Sequence, residues 1–181
     1  MAKRYPSISE NQQRFIEEQK MFFVATAPDE GRINLSPKGL DTLRVAGPNR
    51  VLWLNMTGSG NETAAHLNQN PRITLMFCAY QGEPMILRLY GTGRVIHERD
   101  ADWQSRIELF HGLPGARQII EVDVDLVQVS CGSAVPLYDY QSDRDALVKW
   151  AEKKGDEGVR RYWGERNRVS IDGIPTGIID E

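Results

Sequence analysis

The chain has 181 residues, 40% of them hydrophobic and 26% charged, which fits one globular domain with a sizeable core and at most an appended helical piece. A net charge of −3 provides no broad basic face, so nucleic acid is excluded as the expected partner. No run is apolar for long enough to span a membrane, and none follows Lys3 and Arg4 near the start, so the expectation is a soluble, unexported, cytoplasmic protein with no membrane partner.

In chain order, Ser7-Ile8-Ser9-Glu10 reads as a capping box that opens a helix to about Lys20, with Phe15 and Ile16 as a thin apolar stripe lying on the body of the fold. Phe22 to Ala27 has strand composition, Pro28-Asp29-Glu30-Gly31 is turn chemistry, and Arg32 to Ser36 returns as the second arm of a hairpin. Pro37 lacks an N–H, so Pro37-Lys38-Gly39 is expected to interrupt the ladder. Leu43-Arg44-Val45 is a short strand candidate, and Val51 to Met56 is a clear one. Ile73 to Tyr80 is apolar on both faces, the pattern of a strand covered on both sides. From Met85 to Val95 the alternation is cleaner, and Gly91 and Gly93 mark a bend or bulge. Asp100 is placed to cap a helix carrying Trp103, Ile107 and Phe110. In the long strand from Gln118 to Val129, Glu121, Asp123 and Asp125 form an acidic side expected to face solvent early and to be covered later. Beyond Cys131 the texture becomes helical: Ser142-Asp143 starts one helix, Gly155 closes it, and Asp156 begins another with Val159, Tyr162 and Trp163. The tail from Ser170 to Pro175 is apolar enough to pack on the barrel or on a second subunit. Strands joined by turns and short helices favour an antiparallel barrel over a doubly wound sheet.

Between two of these strands lies Gly58-Ser59-Gly60-Asn61-Glu62-Thr63-Ala64-Ala65-His66-Leu67-Asn68-Gln69-Asn70-Pro71. Asn61 is an N-cap candidate, so the free N–H groups and the dipole of a helix start would face a glycine-flanked loop, a combination that attracts phosphate. Gly58 and Gly60 let a ligand approach the backbone. The same residues also serve an ordinary turn and cap, and both readings stand at this point.

Side-chain catalysis finds little support. There is no nucleophile elbow, paired-histidine helix, Walker loop or dinucleotide glycine fingerprint. His66, His97 and His111 are scattered, so no metal site is expected, and Cys78 and Cys131 read as two separate thiols. Cys131, followed by glycine at a strand end, is either a reactive thiol or a partly buried structural one, with the second reading weighing more. A borrowed cofactor is the natural alternative, because it brings its own reactive atoms.

Three runs now matter together: Asn34-Leu35-Ser36-Pro37-Lys38-Gly39, the strand ending Asn55-Met56-Thr57, and Leu67-Asn68-Gln69-Asn70-Pro71-Arg72-Ile73. In combination they resemble the pyridoxamine 5′-phosphate oxidase-related FMN-binding split-barrel family over about residues 10 to 130. The resemblance implies a mainly β (α+β) fold, a six-stranded antiparallel split β-barrel with flanking helices. Residues 1–130 would form the FMN-binding domain, and 131–181 a C-terminal helical extension packed on it. It further implies a homodimer with FMN at the subunit interface and a small-molecule substrate. The family strand beneath the flavin ring matches Asn34, Leu35, Ser36, Pro37 and Lys38, with the main chain of Leu35 and Ser36 at the pyrimidine edge and Lys38 supplying positive charge. The phosphate-binding turn matches Thr57, Gly58, Ser59, Asn61, Glu62 and Thr63.

The oxidase has Ser-Arg-Lys in that turn where this chain has Asn61-Glu62-Thr63, and Glu62 would repel a phosphate facing it. The charge must then be met by Lys38, by Arg88, which matches a family arginine, or by an arginine of a second subunit. The oxidase's C-terminal Arg-Leu-Asn-Pro is missing and Ile86 stands where it has glutamine, which argues against the vitamin B6 oxidase itself. The implied activity is an FMN-dependent oxidoreductase acting on an unidentified small substrate or reduced nicotinamide, with no general acid or base assigned. The alternatives are a non-catalytic flavin-binding or sensor protein, or the same barrel holding a deazaflavin or haem.

Overall fold

The structure is a computed structural model that describes residues 2–179. Its elements run β1 (Lys3–Tyr5), α1 (Glu10–Glu18), β2 (Phe22–Thr26), β3 (Asn34–Lys38), β4 (Leu43–Gly47), β5 (Arg50–Met56), α2 (Glu62–Gln69), β6 (Arg72–Cys78), β7 (Met85–Ile96), α3 (Trp103–Ile107), β8 (Ala116–Cys131) and α4 (Ala146–Arg166). All the strand pairings are antiparallel, in the order β3-β2-β6-β7-β8-β5-β4, with β1 added to the far end of β8.

The sheet is a split barrel of eight strands rather than six. The extra strand with no signal in the sequence is β1. It is exposed along its whole length and exists only because Lys3, Arg4 and Tyr5 pair with Val129, Gln128 and Val127. Strand β8 makes this possible: its first half lies between β7 and β5, and its last residues between β7 and β1.

The sheet curls because its two ends share one core. Phe22 on β2 and Trp53 on β5 are separated by β6, β7 and β8 along the sheet, yet their rings meet edge-on at 6.2 Å, and Phe22 also stacks on Phe77 at 5.7 Å. Such pairs add about 0.5–1.5 kcal/mol each beyond the area they bury. Leu75, Leu87, Leu89, Ile120, Val122 and Val127 fill the interior, with Ile8 and Ile16 covering one end. A second cluster, Leu52, Leu54, Ile96, Phe110 and Ile119, lies outside the barrel beneath α3 and the residues that follow it.

That second cluster corrects the expectation for the doubly covered strand. It is β5, fully buried from Val51 to Asn55, whereas β6 alternates buried Ile73, Leu75 and Phe77 with half-buried Thr74 and Met76. Pro37 does not interrupt the ladder either. It lies inside β3 opposite Phe23, and β3 is an edge strand, where a missing N–H facing outward costs no hydrogen bond. The capping box of α1 is Ser9 with Gln12, two residues later than expected. The carboxylate of Asp100 accepts the backbone N–H of His97 at 2.8 Å instead of capping α3. The acidic side of β8 is also inverted. Glu121 is buried and held by Arg94 and Arg106 at 2.8 Å each, while Asp123 and Asp125 face solvent.

The expected break in the C-terminal helix is present: Gly155 adopts φ 64° and ψ 170° inside α4. The tail folds back onto the barrel through Asp172 on Arg32, and a bridge between Val169 and Pro175 closes the tail on itself. Among the described residues no helix is long and apolar enough to cross a membrane.

Gly91 sits where the β7–β8 register shifts, and a Cβ there would lie 2.0 Å from the carbonyl oxygen of Asp123. Gly91→Ala is expected to cost about 3 kcal/mol or more and to lower Tm by roughly 6–12 °C. Gly47→Ala, which enters open space, should stay within about 0.5 kcal/mol of wild type in the same thermal melts.

Candidate functional site

Strand alternation places Asn34, Ser36 and Lys38 on one face of β3, and the closure of the barrel brings that face against the loop after β5. The result is a cleft of about 300 Å³ lined by these three residues, by Asn55, by the loop and helix start from Gly58 to Thr63, and by Arg117 of β8. Asn34 ties the two walls together, its side-chain amide donating to the Thr63 hydroxyl at 3.3 Å.

Two cations define the electrostatics. The Lys38 ammonium sits over the Trp53 ring at 4.8 Å, and burial, aided by repulsion from Arg117, lowers its pKa to about 8. Arg117 is only 4% exposed, and burial brings it down to about 9, which leaves it charged at neutral pH. No carboxylate pairs with either among the described residues. Instead Arg117 Nη1 donates to Gly60 O at 2.9 Å and Asn167 Oδ1 at 2.7 Å, Nη2 donates to Asn55 Oδ1 at 3.3 Å, and Nε is left without a partner. A desolvated cation held only by neutral oxygens retains most of its field for an incoming anion.

The loop lines the same space. Gly58 O accepts from the Asn167 side chain at 3.1 Å and Gly60 O from Arg117, so both carbonyls are turned inward. In a trans peptide the N–H opposes the C=O, which leaves the N–H groups of Ser59 and Asn61 turned the other way. Asn61 does not cap α2 with its side chain. Its Oδ1 accepts from Asn55 Nδ2 at 3.2 Å and its own Nδ2 is unpartnered, so the helix start keeps its free N–H groups.

Of the residues singled out in the sequence, the cleft brings together Asn34, Ser36, Lys38, Gly58, Ser59, Asn61, Glu62 and Thr63. Thr57 lies just behind the loop, its hydroxyl donating to Gly115 O at 2.8 Å. The Leu35 side chain points to the opposite face of β3 and is 64% exposed, with Pro37 on that same side of the alternation. Arg88 is not brought to the cleft: it lies on β7 and donates to the Ser130 hydroxyl at 3.2 Å. The Glu62 carboxylate is engaged by the backbone N–H of Ile171 at 3.1 Å. Cys131 is exposed, not partly buried, and hydrogen bonds from Ser133 hold its thiol below the usual pKa.

The residue that sequence reasoning missed is Arg117. Its one signal was a charge directly before the apolar run of β8, just outside the predicted strand. Lys38 also borders a second, larger cavity of about 780 Å³, walled by Leu40, Tyr80, Tyr138, Tyr140 and Leu147.

The profile of the pyridoxamine 5′-phosphate oxidase family matches residues 8–131, the span from the approach to α1 through β8 that carries every residue of the cleft. A pyridoxamine 5′-phosphate oxidase family protein of Aspergillus flavus, ustO, is 39% identical over 189 aligned positions, covering 94% of this chain and 76% of its own length. The chain belongs to the pyridoxamine 5′-phosphate oxidase family. Solved structures share the fold of this family member at low identity. Group A Streptococcus HupZ is 18% identical with a TM-score of 0.53, over 66% of this chain and 91% of that one. An FAD-binding protein of Mycobacterium smegmatis is 14% identical with a TM-score of 0.50, over 70% and 97%. The family profile ends at β8, whereas the likeness to the Aspergillus protein extends into the C-terminal segment that supplies Asn167.

Lys38 gives this site a pH signature. With a folded pKa of about 8, below its ordinary value of 10.5, both states are protonated below pH 8 and the folded state carries the whole penalty. Between those values the unfolded chain holds the proton and the folded chain does not, so stability rises with pH. Wild type should therefore gain on the order of 2–3 kcal/mol relative to Lys38→Met across that window, read by urea melts at stepped pH.

Proposed function

We propose that this cleft holds the phosphate end of FMN and that the protein is an FMN-dependent oxidoreductase acting on a small molecule. The observation that carries the reading is Arg117: a buried guanidinium with no carboxylate partner among the described residues, an unpartnered Nε, and a glycine loop and helix start that line the same space. Such a site fits a dianionic phosphate better than a neutral ligand. Family membership and the flavin named for the Mycobacterium smegmatis neighbour support a flavin over other phosphorylated ligands.

In this reading Arg117, Lys38 and the N–H groups of Ser59 and Asn61 hold the phosphate, with the Ser59 and Thr63 hydroxyls beside them. Asn34 and Ser36 line the path along β3 toward the ring. FMN supplies the electron chemistry, and this chain supplies binding, orientation and a positive field. The aromatic-walled cavity beyond Lys38 is the space open to the substrate, and its volume suits a small molecule. Two copies complete the site. Ile33, just before β3, is 78% exposed and Leu35 on its outward face 64%, an apolar edge suited to a second subunit.

Protein purified without added cofactor should be yellow and should release FMN by mass. A colourless protein that also fails to take up added FMN overturns the proposal. Lys38→Met should weaken FMN binding by about tenfold or more, the loss expected for one charge-assisted hydrogen bond. Wild-type affinity should itself fall above pH 8 as Lys38 loses its proton, by up to about tenfold per pH unit. Rapid reduction of the bound flavin by a reduced nicotinamide, followed by stopped-flow absorbance, would mark an enzyme; flavin that binds and stays oxidised would mark a carrier.

A further inference from the structure

The segment beyond β8 lies outside the family-matched region, yet it reaches the cleft from behind. The Trp163 indole N–H donates to the Thr57 hydroxyl at 2.8 Å, and Asn167, fully buried at the end of α4, donates from Nδ2 to Gly58 O at 3.1 Å. Asn167 Oδ1 at the same time accepts from Arg117 at 2.7 Å. The tail then fixes Asn167 in turn, since the Thr176 hydroxyl donates to Asn167 O at 2.6 Å. Four residues past Asn167, the N–H of Ile171 takes the Glu62 carboxylate, the one negative charge that borders the cleft.

These contacts share one consequence. Asn167 holds the Gly58 carbonyl, so the Ser59 N–H across the same trans peptide points the opposite way, while its other atom orients the guanidinium of Arg117. Its two ends must be different, one donor and one acceptor, and asparagine has both. Trp163 holds the start of the same loop through Thr57. The N–H of Ile171 keeps Glu62 occupied.

We infer that α4 and the tail form a clamp that sets the phosphate loop in its anion-binding conformation, with Asn167 as its principal positioning residue and the phosphorylated flavin, rather than the unphosphorylated one, as the ligand it selects. This rests on the flavin reading above and adds to it a determinant of specificity that lies outside the barrel.

Asn167→Asp is the decisive variant. It preserves size and still accepts from Arg117, now as an ion pair, but it cannot donate to Gly58 O and places a negative charge behind the phosphate. Retained riboflavin binding by the same variant reports that it is folded, so loss of folding does not confound the result. FMN should bind to it more weakly by about tenfold or more, while riboflavin, which lacks the phosphate, should stay within about twofold of its wild-type affinity. Equal FMN affinity in Asn167→Asp and wild type, or equal weakening of FMN and riboflavin, overturns the clamp while leaving the flavin site intact. If wild type takes up no FMN, the flavin reading falls and the clamp falls with it.

Discussion

An arginine cut off from water with no carboxylate beside it must be held by neutral oxygens, and that requirement organises this molecule around Arg117. Three segments distant in sequence contribute an oxygen each: the end of β5 through Asn55, the loop before α2 through Gly60, and the end of α4 through Asn167. Each oxygen drawn toward the guanidinium fixes a piece of chain. The loop carbonyls that accept from Arg117 and Asn167 leave the N–H groups of Ser59 and Asn61 turned the opposite way. The positive field and the donor array are thus two aspects of one arrangement.

Strand β8 carries a useful contrast. Glu121, four positions beyond Arg117, is as deeply buried, but two arginines neutralise it and the group is closed to further partners. A buried charge whose partners are already in the fold belongs to the structure, whereas one whose counter-charge is absent supports the proposed ligand site. Lys38 belongs with Arg117 in the second group. Its cost is partly offset by the face of Trp53, the same ring that closes the barrel against Phe22. Closure of the barrel and placement of the second cation are therefore linked.

The C-terminal segment extends the argument beyond the family-matched barrel. A glycine-flanked loop is free to adopt many conformations, and holding one of them requires contacts from outside it. Trp163 and Asn167 supply these from the end of α4. The same segment satisfies Glu62, the acidic residue that stands where the oxidase pattern has a basic one.

Much of this was legible in the order of residues. Strand composition marked β2, an apolar run marked β6, and period-two alternation marked β7 and β8; glycines marked the bulge at Gly91 and the break at Gly155, and the loop from Gly58 to Thr63 carried both an anion-site and a turn-and-cap reading, because each of these depends on neighbours close in the chain. The existence of β1, the double covering of β5, the burial of Glu121 and the role of Arg117 were not legible. A charged residue in a strand looks the same whether it meets solvent, arginines or a ring of carbonyls. Only the packing of α3 and α4 against the barrel decides which, since burial and hydrogen-bond partners are supplied by segments far away in sequence.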